Sequence, residues 1–182
     1  FIDIDISAYH PSLSCRLIDY DFPSVDIHSH LQALYKVDYA KSKELTFKQL
    51  YGGVFKEYKH LEFFKKIDIY VKDLWSKFES EGEITCPISS FVYKKENLEE
   101  MNPQKLFNYL LQNLETSMNV RILWDIIKIL KNKKTKLVLY TYDSFLFDWD
   151  KEEKQVMDDI KMVFSTYKLN IKTKQGYDYD FR

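Results

Sequence analysis

The sequence predicts an α+β fold, an antiparallel sheet covered by helices on one face. Three observations predict it. FIDIDI, residues 1–6, alternates apolar and acidic side chains with the period of a half-buried strand. LVLYTYDSFLFDW, residues 137–149, is a β-prone apolar run with a turn-prone centre at Tyr142-Asp143. Between and after these runs, apolar residues recur at helical spacing over long stretches.

In chain order, the alternation of the first strand turns Asp3 and Asp5 to one face and Ile4 and Ile6 to the other. Pro11 suits the first turn of a helix. SVDIHSHLQALYKV predicts a helix starting near Ser24 or Asp26, with Ile27, Leu31, Leu34 and Tyr35 on one stripe. SKELTFKQLYGG predicts another, capped at Ser42 or earlier and stopped by Gly52-Gly53. From Tyr58 to about Phe78, the residues Leu61, Phe64, Ile67, Val71, Leu74, Trp75 and Phe78 form an apolar helical stripe, ended by Gly82. EITCPISSFVY reads as a strand pair or a strand bent at Pro87. Pro103 opens a helix that runs to about Lys131. A basic turn, KNKKTK, leads to the hairpin, and a helix over about 151–166 and a strand in LNIKTK close the sheet.

Composition narrows the function. The chain has 182 residues, 45% hydrophobic and 16% aromatic, which is ample for a packed core and excludes a disordered chain. The net charge of −1 excludes a simple basic nucleic-acid coat, though not a local basic groove. Cys15 and Cys86 offer neither a disulfide framework nor metal-ligand spacing, and predict reduced thiols in an intracellular protein. There is no signal peptide and no apolar run of about 18 residues, so no membrane span is expected. Phe1 opens inside a strand without a preceding methionine, and we expect a piece of a larger protein.

Three sets of residues carry candidate chemistry. Asp143 interrupts an apolar run, and a buried, unpaired carboxylate costs several kcal/mol, so a partner, a metal or a proton is expected there. Taken alone it also reads as an ordinary turn aspartate. If the hairpin pairs with the first strand, Asp5 and Asp143 come together, and two adjacent carboxylates stay ionised with a cation between them. A hard divalent ion such as Mg²⁺ suits such a pair. Lys43, Phe47 and Tyr51 lie at i, i+4 and i+8, one stripe of one helix, and suit a triphosphate, a sugar and a base. Asn108 and Gln112, again four apart, can bond a minor groove or a phosphate backbone.

With these residues the chain resembles the polymerase module of family A DNA polymerases along nearly its whole length. DISAYHPSL resembles that family's first catalytic motif, with Asp5 at the metal-binding aspartate. KELTFKQLYGG resembles the helix that closes over the incoming nucleotide, and YTYDSFLFD resembles the motif of the second aspartate. DIHSHLQALYKV is similar to a segment whose histidine, here His28, touches the triphosphate. FNYLLQNLETS is similar to a helix whose Asn and Gln, here Asn108 and Gln112, contact primer–template. The lysine-to-tyrosine spacing favours family A over family B. The resemblance implies an antiparallel palm sheet packed on helices, with palm at about 1–23 and 81–182 and a helical fingers subdomain at about 24–80. It also implies two-metal nucleotidyl transfer from deoxynucleoside triphosphates to a primer 3′-hydroxyl, with Asp5, Asp143 and the Ile6 carbonyl holding two Mg²⁺ ions for which Mn²⁺ can substitute. The implied partners are primer–template DNA, the nucleotides and the rest of a parent polymerase, including a thumb and an exonuclease domain outside this sequence.

The chain departs from that pattern in four places. His10 stands where the family has a glutamate that excludes a ribose 2′-hydroxyl, and is expected to act as sugar gate or in local packing. Tyr39 and Gln104 stand in place of arginines, and Ser144 in place of a glutamate. These departures motivate a rival expectation, a non-catalytic polymerase-like DNA-binding or scaffold part of a replication complex. A third, a nuclease, would require acids beyond the pair.

Overall fold

The computed structural model describes residues 1–24, 26–178 and 181. The chain forms the α+β fold expected, as two compact units, one of residues 1–9 with 116–182 and one of residues 10–115. These bounds differ from the palm and fingers segments above, which are defined by role rather than by compactness.

The first unit is built on a four-stranded antiparallel sheet in the order β4-β5-β1-β6, from β1 (Ile2–Ile6), β4 (Lys136–Thr141), β5 (Ser144–Asp148) and β6 (Ile171–Gln175). The alternation of β1 sets its faces. Ile2, Ile4 and Ile6 are buried and stand opposite Phe147, Phe145 and Ile171. α6 (Lys154–Thr166) covers this face, where Phe164 meets Phe145 edge to face at 5.2 Å. Each fully buried Ile or Phe contributes about 1.5–3 kcal/mol, so a one-residue register slip, which would turn them all outward, is strongly disfavoured. Asp3 and Asp5 share the other face with Ser144 and with Lys172 and Lys174 of β6.

The second unit is helical apart from the small hairpin of β2 (Glu83–Thr85) and β3 (Val92–Lys94). α1 (Tyr9–Ile18) begins on its boundary with the first unit. α2 (Ile27–Tyr35) is capped by Asp26, and α3 (Tyr39–Gly52) by Asp38, whose carboxylate accepts from Lys41 N–H at 2.8 Å. α3 ends at Gly53, with φ of 100°, where a Cβ would meet the Gln104 amide at 3.1 Å. The amphipathic stripe becomes α4 (Glu62–Glu81), preceded by a 3₁₀ turn at Lys56–Tyr58 rather than starting at Tyr58. Its Phe63, Phe64, Ile67, Val71 and Phe78 are core residues, as an aromatic helical seam implies. α5 (Pro103–Leu130) runs the expected length, and the division between the units falls within it.

One premise is corrected. Asp143 is not buried within an apolar strand: it is an exposed residue of the two-residue turn between β4 and β5. Its presence therefore needs no compensation for desolvation, and its carboxylate is open to solvent.

Candidate functional site

Backbone pairing brings the acids together. In the β1–β5 register Asp5 stands directly opposite Ser144, the residue after Asp143. The Ile6 N–H donates to the Asp143 carbonyl at 2.8 Å, so pairing continues into the turn itself. Asp5 is half-buried and Asp143 exposed. Ile6 thus lies between the two aspartates in the pairing, while its side chain is buried on the helix-covered face. Asp3, one pleat back, accepts from the Ser144 hydroxyl at 2.5 Å.

The turn that presents Asp143 is held by a residue that gave no sequence signal. Asn119 of α5 is buried, donates to the Tyr142 carbonyl at 2.9 Å and to the Tyr140 hydroxyl at 2.6 Å, and accepts from the Tyr9 hydroxyl at 2.8 Å. Tyr142 itself sits at φ 51°, left-handed backbone that disfavours side chains other than Gly, Asn or Asp. Lys172, exposed and directly opposite Asp5 on β6, was also missed, because it becomes a neighbour only through pairing.

In the second unit α3 is turned inside out relative to an ordinary amphipathic helix. Its buried side chains are Ser42, Thr46, Gln49 and Leu50. The polar three are satisfied: Ser42 donates to the His28 carbonyl at 2.9 Å, Thr46 to the Ser42 carbonyl at 2.8 Å, and Gln49 to the Tyr35 hydroxyl at 3.1 Å. Meanwhile Lys43 is exposed, Phe47 half-buried and Tyr51 39% exposed. The Phe47 and Tyr51 rings stack at 5.7 Å and 19°. The expected stripe is therefore presented outward as one surface.

The remaining candidates have definite surroundings. His28 is buried, its ring packed against Phe47 at 5.7 Å and Tyr39 at 6.0 Å. His10 bonds the Tyr51 hydroxyl through Nδ1 at 2.7 Å and Glu115 through Nε2 at 2.7 Å. Asn108 donates to the Tyr51 carbonyl at 3.2 Å, and Gln112 is exposed on the same helix. Cys15 and Cys86 are free thiols. Burial and the nearby Asp21 push the Cys15 thiol up to about 12, so it is protonated and unreactive at neutral pH.

No known family profile matches the sequence, and no curated protein matches it. Among solved structures, the chain is similar to the POL domain of Pol1 from M. smegmatis in complex with DNA primer-template and dNTP. The TM-score is 0.79 at 13% identity, and the match covers 99% of this chain and 40% of that one. At that identity the likeness establishes a polymerase-domain fold. No helix among the described residues is long and apolar enough to cross a membrane.

Among the described residues no group of three or more His, Cys, Asp or Glu could hold a metal ion. The donors on offer at the sheet end are instead two carboxylates and a main-chain carbonyl. All are hard oxygens, and they fit Mg²⁺, which takes one or two carboxylates and completes its octahedron with water and substrate phosphate.

Proposed function

We propose that this chain is the polymerising part of a template-directed DNA polymerase, which adds deoxynucleotides to a primer 3′-hydroxyl. The observation that carries this reading is the antiparallel register linking Asp5 to the Asp143 turn, in a chain with a polymerase-domain fold. Asp5, Asp143 and the Ile6 carbonyl would hold two Mg²⁺ or Mn²⁺ ions. Such ions, when bound, supply Lewis-acid stabilisation of phosphoryl charge and an activated hydroxyl nucleophile.

The other residues bind and orient. Lys43 is an exposed point charge for the triphosphate, four residues before a ring face that takes sugar or base. Phe47 and Tyr51 present those faces, and His10 stands against the Tyr51 hydroxyl where a sugar would lie. His28 supports Phe47 by packing, and its role as a phosphate contact requires its ring to become accessible. Asn108 and Gln112 face primer–template, with one amide hydrogen of Asn108 already given to Tyr51. Palm then comprises about 1–23 and 81–182, and fingers about 24–80. Because the chain spans less than half of the structure it resembles, primer–template grip also draws on other parts of a parent polymerase, a thumb above all.

Extension of a labelled primer on a template in Mg²⁺, by the wild-type chain and by Asp143→Asn, tests the reading. Extension by the wild type and none by the variant supports it, and robust extension by the variant overturns it. Ser144 and His10, in place of the two glutamates, favour a second reading, a non-catalytic DNA-binding relative. That reading requires tight primer–template binding with no nucleotide incorporated.

A further inference from the structure

We propose that Glu115 is a positioning residue that fixes the proton on His10, so that Tyr51 offers an acceptor oxygen to a hydroxyl of the nucleotide sugar. This rests on the nucleotide-binding role proposed above for Tyr51. The three side chains form a chain of hydrogen bonds. Glu115 Oε2 lies 2.7 Å from His10 Nε2, and His10 Nδ1 lies 2.7 Å from the Tyr51 hydroxyl. The His10 and Glu115 side chains are only 12% and 15% exposed.

Donor and acceptor roles then follow in sequence. An ionised carboxylate only accepts, so Nε2 of His10 carries the hydrogen. In the neutral imidazole Nδ1 is then the acceptor, and the Tyr51 hydroxyl donates to it. With its proton committed inward, the phenol oxygen has only lone pairs for an approaching group. Asn108 holds the Tyr51 carbonyl at 3.2 Å, and Phe47 stacks on its ring. Tyr51 is thus fixed by main chain, ring and hydroxyl while still 39% exposed. The ring faces suit a flat base. The phenol oxygen lies at the ring edge, where the sugar of a stacked nucleotide carries its hydroxyls. An acceptor-only oxygen selects sugars that bring an O–H donor, and Glu115 sets that preference without touching the nucleotide.

Equilibrium binding of ribo-, deoxy- and dideoxynucleoside triphosphates of one base tests this, with wild type, Tyr51→Phe, Glu115→Gln and the double variant. Gln is isosteric but both donates and accepts, so it releases the tautomer without opening a cavity. We expect Tyr51→Phe to weaken hydroxyl-bearing sugars about fivefold and to leave the dideoxy sugar unchanged. Glu115→Gln should shift the same ratio about threefold, and should add nothing in the Tyr51→Phe background. Loss confined to the ribo arm places the donor at the 2′ position, and loss in both hydroxyl arms at the 3′ position. The ¹⁵N shifts of His10 should show the Nε2–H tautomer in the wild type and a mixture in Glu115→Gln. An Nδ1–H tautomer in the wild type, an equal effect of Glu115→Gln on all three sugars, or full additivity with Tyr51→Phe overturns the proposal. If the wild type binds no triphosphate, the nucleotide reading itself falls, whereas the tautomer measurement still decides the relay.

Discussion

The end of the four-stranded sheet and the outer face of α3 both present candidate functional residues, but they are positioned by opposite means. At the sheet end the backbone does the placing: β1–β5 pairing sets Asp5 against Ser144, and the Ile6 N–H reaches the Asp143 carbonyl. On α3 the backbone only supplies a stripe, and side-chain bonds from His10 and Asn108 fix its last residue. Placement by backbone tolerates change in neighbouring side chains, which is how a serine can follow Asp143 without disturbing the pair. Placement by side chains fails one bond at a time.

The largest expected effect tests the first half of this contrast. Asp143→Asn should lower primer extension by about a thousandfold or more, since charge stabilisation at the transferring phosphoryl is worth several kcal/mol. Because Asp143 is exposed in a turn, melting temperature should stay within about 1 °C of wild type and primer–template affinity should hold. A large drop in stability would show that the residue works structurally. The next effect is on the support of that turn. Asn119→Ala removes two bonds to the hairpin and leaves the Tyr9 hydroxyl buried without its acceptor. It should cost roughly 2–4 kcal/mol in chemical denaturation and slow extension as well. Unchanged stability would mean that the sheet pairing alone holds the tip.

On the α3 side the changes should be graded. Lys43→Ala should lower kcat/KM for nucleotide by about ten- to a hundredfold, the worth of one charge-assisted contact, with a raised KM and an unchanged melting temperature. A purely structural lysine would leave both kinetic constants alone.

How far this could be read from sequence follows the same division. The period-two pattern of FIDIDI was enough to turn Asp3 and Asp5 to one face, and the apolar run around Tyr142-Asp143 was enough for a hairpin, because strand patterns are local. Whether Asp143 was buried could not be read locally: an apolar run gave the wrong answer, and only the turn geometry exposed it. The stripe of Lys43, Phe47 and Tyr51 was legible from spacing, but its outward direction depended on Ser42, Thr46 and Gln49 being satisfied inside, a tertiary fact. Asn119 and Glu115 were illegible, since each acts on a partner more than a hundred residues away in the chain. Asn and Glu on a long helix look like solvated residues until the fold brings Tyr9 and His10 against them.

Lys172 gives the smallest effect and the finest test of placement by register. It stands directly across from Asp5 on the same face of the sheet, with Lys174 likewise across from Asp3. An ammonium beside an acid that is proposed to receive a divalent cation opposes that cation. Removing the positive charge should therefore strengthen ion binding, not weaken it. The lysine is exposed, so water and salt limit the interaction to about 1 kcal/mol or less. Lys172→Gln should accordingly lower the Mg²⁺ concentration for half-maximal extension by about threefold, with the difference shrinking as ionic strength rises. The same substitution removes a cross-strand pair of opposite charge and should cost roughly 0.2–1 kcal/mol of stability. The two readouts move in opposite directions, which a general loosening of the sheet cannot reproduce. If Lys172→Gln instead raised the Mg²⁺ requirement, the cation would not be sitting at the Asp5 end of this register.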